Sequence, residues 1–139
     1  MVTIEDNTGK AKDAMQAAID EVLRRIGGRI ERYAKARCPV GTEESTGIKG
    51  YRGGTLRNSI THYEDESSTT VGSNVFYAPY VELGTGPNYT PPPEWMENNA
   101  QQGKGTGKGF VHPRPFLRPA IADHLNEYKR IIETKLKDA

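Results

Sequence analysis

At 139 residues, with 19 basic and 18 acidic side chains and a net charge of +1, the chain has one domain's length and no global field to draw it to nucleic acid. A single cysteine, Cys38, excludes an intramolecular disulfide. No run of about 18 apolar residues is present to cross a bilayer, and residues 1–10 lack the basic and apolar regions of an export signal. The expectation is a soluble protein made in a cytoplasm and folded as one domain over 1–139, with no membrane partner.

In chain order, the first predicted element is a long amphipathic helix over 10–38. Met15, Ala18, Ile19, Val22, Ile26, Ile30 and Tyr33 fall at helical spacing, and Cys38-Pro39 ends it. Gly27-Gly28 inside it predicts either a kink or a close approach by another part of the backbone. Residues 41–54 hold five glycines and almost no aliphatic side chains, which reads as a flexible surface loop. From 55 to 75, Leu56, Ile60 and Val71 amid Thr, Tyr and Ser predict short strands, with Glu64 to Ser67 as their turn. Such a hairpin is marginal alone and needs the long helix on one face.

Residues 76–86 predict a short helix or turn. Pro79 fits its first turn and Gly84 its end, so that Tyr77, Tyr80, Val81 and Leu83 pack under the sheet. A long loop follows over 87–111. Counted from Gly84 to Gly109, the stretch holds six glycines and four prolines, and it carries the only tryptophan, Trp95, behind Pro91-Pro92-Pro93. Trp95 either anchors a partner or folds back onto the core. A C-terminal helix over 115–137 closes the chain, with Ile121, Leu125, Tyr128, Ile132 and Leu136 at helical spacing and Lys135 and Lys137 in its last turn. The predicted fold class is therefore α+β: a small antiparallel sheet on a long N-terminal helix, with a short middle helix and a C-terminal helix. The expected core includes Leu56, Ile60, Val81, Phe116 and Leu117.

Catalytic and metal-binding constellations fail on spacing, so no catalytic residue, metal or cofactor is expected. Cys38 lacks a nucleophile signature and reads as an inert thiol. His62, His112 and His124 match no common metal-ligand spacing. The run Gly103 to Gly109 is no phosphate loop: Gln102 stands where the Gly five before the Gly-Lys pair is needed, Gly109 where Ser or Thr must follow it, and Phe110-Val111-His112-Pro113 in place of the helix. Glu64, Asp65 and Glu66 read as a solvated turn. Residues 10–37 carry eight Lys or Arg against four acids. Their signs are interleaved, which favours a solvated helix face; a small nucleic-acid-binding or regulatory module using this basic helix is the alternative reading.

Two segments flank the long loop: Phe76-Tyr77-Ala78-Pro79-Tyr80-Val81-Glu82-Leu83-Gly84-Thr85-Gly86 and His112-Pro113-Arg114-Pro115-Phe116-Leu117-Arg118-Pro119-Ala120-Ile121. Upstream stand Ala36-Arg37-Cys38-Pro39-Val40 and, after a Gly-rich stretch, Gly54-Thr55-Leu56-Arg57-Asn58-Ser59-Ile60. Over residues 10 to 130 this order resembles the small tail-component family of long-tailed bacteriophages, with two loops, 41–54 and 87–109, longer than that family's pattern. The resemblance implies an α+β tail-completion or head-tail joining protein without catalytic residues. It further implies a ring, commonly of six subunits, between the portal-connector complex and the tail, contacting neighbouring neck and tail proteins in a virion assembled in the bacterial cytoplasm.

Within that reading, Tyr77, Tyr80, Glu82, Trp95, Arg114 and Arg118 are the candidate oligomer or partner contacts. Arg114 and Arg118 could pair with Glu82 or with an acid of a neighbour, or these residues could simply fasten the loop ends within one subunit. Between Arg57 and Lys104 the sequence contains no Lys or Arg but holds Glu64, Asp65, Glu66, Glu82, Glu94 and Glu97. A face from this acidic half is the expected lining of a channel that passes genomic DNA without sequence-specific binding, with the basic helix outside.

Overall fold

The computed structural model describes residues 8–41, 49–50, 53–84, 88–96 and 112–137. It is α+β. Helix α1 spans Thr8–Arg37, and α2 Thr55–Ser59; strands β1 Thr61–Glu64 and β2 Thr69–Gly72 form one antiparallel hairpin; α3 is Ala78–Leu83, α4 Leu117–Ala122 and α5 Leu125–Lys137. Residues 85–86 of the expected short helix or turn, 87 and 97–111 of the expected long loop, and 42–48 and 51–52 of the expected Gly-rich loop lie outside the described residues. At the base of that Gly-rich loop, Gly53 sits against Gly41 so closely that a Cβ on Gly53 would fall 2.1 Å from the Gly41 carbonyl oxygen. Only a glycine permits that approach.

Helix α1 organises the rest. Its buried positions, Ala18, Val22, Ile26, Ile30 and Ala34, continue to Cys38 beyond its end and recur at every fourth residue. In a helix of 3.6 residues per turn such a stripe drifts by about 40° per step, so it winds around the rod and needs covering from two flanks. The hairpin covers one flank and the α4–α5 pair the other. Met15, expected on the apolar stripe, is exposed instead.

Gly27 shows why the glycine pair stands in α1. A Cβ there would lie 2.4 Å from Thr69 Oγ1 and 2.7 Å from His62 Cδ2, whereas one on Gly28 would meet nothing within 4 Å. The helix runs unbroken through both, so the pair marks close approach of the hairpin rather than a kink. The hairpin register pairs Thr61 with Gly72 and Glu64 with Thr69, which moves the turn one residue on from the expected position, to Asp65–Ser68. The Asp65 carboxylate accepts from the Ser67 and Ser68 amides, both at 2.8 Å, and from the Ser68 hydroxyl at 2.9 Å, building the turn from its own side chain. Those bonds hold the Asp65 carboxyl below its usual pKa.

Two expectations about elements need correction. Residues 55–59 are helical, not strand: Gly54, at φ 112, starts the turn, its carbonyl accepts from the Asn58 amide at 2.7 Å, and Ser59 donates to the Leu56 carbonyl at 2.6 Å. Leu56 and Ile60 still enter the core from this turn. The C-terminal helix is interrupted at Asp123-His124, where the His124 ring stacks on Tyr33 with centroids 3.7 Å apart and Asp123 pairs with Arg37 at 3.0 Å. Tyr128 stitches the two pieces together by donating its hydroxyl to the Ala120 carbonyl at 2.5 Å. The buried cluster comprises these side chains with Ala78, Phe116 and Ala120, and Val71, Val75, Tyr77, Val81 and Leu117 pack on its edge.

Candidate functional site

The two segments that flank the long loop meet in space, and one carboxylate joins them. In α3, Pro79 stands in the first turn, where a missing N–H costs nothing, and Gly84 ends the helix at φ 77. One helical turn separates Ala78 from Glu82, so the acid shares the buried face of α3. Its target is the start of α4. There Phe116, as N-cap, makes no side-chain capping bond, which leaves the first amides of α4 without a local acceptor.

Glu82 supplies that acceptor from a distance. Its Oε2 accepts from the amides of Phe116 at 2.7 Å and Leu117 at 3.0 Å, and its Oε1 from the Arg118 amide at 2.9 Å. A buried carboxylate is tolerated because three donors replace its water. Two further backbone bonds close the same seam: the Arg114 amide donates to Val81 O at 2.8 Å and the Thr90 amide to Leu83 O at 2.7 Å. Phe116, fully buried beside this clasp, locks it to the core.

This arrangement decides among the alternatives for Glu82. It binds within the subunit and not to a guanidinium: Arg114 and Arg118 approach through their backbone amides, while their side chains lie exposed and half-buried, respectively. Tyr77 and Tyr80 are half-buried, as are the expected core residues Val81 and Leu117. Of the α3 residues expected under the sheet, only Leu83 is fully buried, because Ala78 and Glu82 occupy the rest of the inward face. Trp95 is 52 % exposed and Phe76, edge-on to Tyr77 at 5.3 Å, is 75 % exposed. The tryptophan thus stands outward on a chain segment anchored at its start by Thr90.

A second polar constellation, unmarked in the sequence, fastens α5 to α1. Glu127 accepts from the Tyr33 hydroxyl at 2.6 Å and from Arg29, with His124 Nδ1 3.6 Å away. The Tyr33 bond, aided by the Arg29 charge, holds the Glu127 carboxyl below its usual value. Lys135 does the same for Glu21 at 2.7 Å. Burial pushes the Tyr128 hydroxyl up to about 12. Burial likewise raises the Cys38 thiol, which disfavours its thiolate.

These pairings bear on the basic helix. Arg24, Arg29, Lys35 and Arg37 are engaged with Glu64, Glu127, Glu31 and Asp123, so half of the eight cations counted between Lys10 and Arg37 already have acidic partners. Among the described residues, no group of His, Cys, Asp and Glu is arranged to hold a metal ion. Among the same residues, no helix is long and apolar enough to cross a membrane.

Comparison with known families decides the kind of protein. A model of the family described as "Bacteriophage HK97-gp10, putative tail-component" matches residues 3–84, more than half of the chain. The chain belongs to this phage tail-component family. The matched span runs through α1, the hairpin and α3, and it ends at Gly84, where the clasp begins. The second flanking segment, 112–121, lies beyond it and is tied to the family portion by Glu82. No curated protein and no solved structure matches the chain.

Proposed function

We propose that this tail component is a structural, non-enzymatic protein of the virion, a tail-completion or head-tail joining subunit that folds as one unit and closes into a ring. Six subunits is the number we favour. The ring would sit between the portal-connector complex and the tail, contact neighbouring neck and tail proteins, and let genomic DNA pass without sequence-specific binding. The family match over residues 3–84 carries this reading.

The clasp supports it from a different direction. A subunit that must present a long, Pro- and Gly-rich loop to neighbours needs the loop's two ends fixed, and Glu82 ties α3 to the start of α4. Exposed Trp95 and Arg114 are the residues best placed to meet a partner. The stretch free of Lys and Arg from 58 to 103 suits a surface past which DNA slides, since each cationic contact would add phosphate affinity. Two of its acids are withdrawn from such a surface, however: Glu82 into the clasp and Glu64 toward Arg24, 3.8 Å away.

Particles assembled without the protein test the reading. Electron microscopy is expected to show filled heads separated from tails; complete, infectious particles with joined tails would refute a junction role.

A further inference from the structure

A closed ring needs a head-to-tail interface, in which two different patches of one subunit meet on successive copies. Resting on the ring reading, we infer that these patches are the outer face of the β1–β2 hairpin and an apolar stripe on α5, so that the partner docked at each is a second copy of this chain.

The two elements lie on separated flanks of α1. The hairpin meets it through Gly27, Glu31 and Arg24, and the α4–α5 pair through Arg29, Tyr33 and Arg37. At about 100° per residue these two sets point roughly 150° apart. A hairpin on one flank of a subunit therefore faces the α5 side of the next copy when copies are laid side by side.

Each patch also lacks a cover among the described residues. On α5, Leu125, Lys129, Ile132 and Leu136 share one face beside the buried Tyr128; Leu125 is 49 % and Ile132 38 % exposed. Neither side chain enters the subunit's own core, because α1 takes the neighbouring face of α5 through Glu127 and Lys135. On the hairpin, His62 turns toward α1 while Tyr63, its neighbour in the strand, points away and is 64 % exposed. An aromatic side chain opposite an aliphatic stripe is a pairing that buries apolar area on both copies.

Charge completes the match. The hairpin turn carries exposed Asp65 and Glu66, and no Lys or Arg occurs from 58 to 103. On α5, Glu127 and Lys135 are held by α1; Lys129, Arg130 and Lys137 form no ion pair among the described residues and outnumber the exposed Glu133, so the outward charge of the helix is net positive. The hairpin is thus the acidic and aromatic side, α5 the basic and aliphatic side. Two hairpins, or two α5 faces, would repel each other, and patches on opposite flanks of α1 do not both reach a single partner across a two-fold axis, which together select head-to-tail over two-fold pairing.

Two variants test the assignment by sedimentation or mass photometry beside the wild type: Tyr63→Ser with Glu66→Lys, which reverses charge on the hairpin, and Leu125→Ser with Ile132→Ser, which leaves α5 basic so that the two altered patches do not attract each other. All four residues are exposed, and far-ultraviolet circular dichroism checks that each variant folds. Wild type is expected to form one closed oligomer. Each variant alone should lose about tenfold or more in association and run as a monomer. Mixed, the two should form dimers and nothing larger, because one intact hairpin meets one intact α5 and the remaining patches are both altered. Variants that assemble like wild type would overturn this interface and leave the ring reading standing. A mixture that stays monomeric would overturn the head-to-tail pairing. Wild type that remains monomeric throughout would overturn the ring reading and the interface with it.

Discussion

Glu82 Oε2 lies 2.7 Å from the amide nitrogen of Phe116, and this one bond spans the gap between the two segments that bracket the long loop. With the Leu117 and Arg118 amides it makes Glu82 the cap of a helix 34 residues away in sequence. Replacement by alanine would leave three donors without acceptors beside a closely packed phenylalanine. Glu82→Ala is expected to destabilise the protein by about 3 kcal/mol in urea unfolding. Arg114→Ala and Arg118→Ala, which keep the donating amides, should each change stability by less than about 0.5 kcal/mol. Comparable losses from all three would contradict a clasp built on backbone amides.

The glycine pair of α1 offers a comparison of neighbours with opposite signs. Gly28→Ala places a methyl in open space and should stabilise the protein by about 0.5–1 kcal/mol through helix propensity. Gly27→Ala drives the same methyl into the His62 ring and the Thr69 hydroxyl, so an overpacking cost of about 1–3 kcal/mol should prevail despite the propensity gain. Thermal unfolding of the two variants measures both. Equal stabilisation by both substitutions would mean that the hairpin does not press on the helix there.

Acid should loosen the α1–α5 seam. Glu127 and Glu21 both have folded values below the ordinary 4.5, so the unfolded chain binds more protons as pH falls through this range. Their contribution is present above about pH 4.5 and is lost as pH drops through the lower folded values. Denaturation profiles at a series of pH values should show that loss, with a shallower acid slope in Glu127→Gln. At the other end, Tyr128 is raised from 10.0 to about 12. Its contribution is complete below pH 10 and disappears as pH climbs toward 12. Tyr128→Phe should flatten that alkaline slope; an unchanged slope would show that another group sets it.

Trp95 is the chain's only tryptophan, so intrinsic fluorescence reports its surroundings without ambiguity. In the free subunit its exposed ring should be readily quenched by acrylamide, and a partner seated on it should protect it. Strong protection in a demonstrably monomeric sample would contradict the outward placement.

Much of this architecture could be read from residue spacing, and the parts that could not share a physical cause. Helix α1 announces itself because its apolar stripe repeats over several turns. Helix α2 does not: residues four apart, such as Leu56 and Ile60, fall on one face of either a strand or a helix, and the left-handed Gly54 settles the matter. The split between α4 and α5 carries no proline or glycine, since it is set by contacts of Asp123 and His124 with a helix more than 80 residues earlier. Glu82 stood out as a lone acid among apolar neighbours, which made it a candidate for pairing with Arg114 or Arg118. Its true partners are backbone amides, which every residue but proline has and no sequence marks; the one available hint was a helix start at Leu117 with no capping side chain before it. Likewise, Leu125 and Ile132 fit helical periodicity, yet periodicity does not say whether the partner is the same chain or another copy.

The central claim, a subunit of the head-tail junction, is tested most directly by locating the protein in the intact particle. Gold label carried on the chain's C-terminal end and viewed by cryo-electron microscopy is predicted to mark the neck, as a single ring of label at the junction of head and tail. Label distributed along the tail tube, gathered at the distal tip, or absent from purified virions would contradict it.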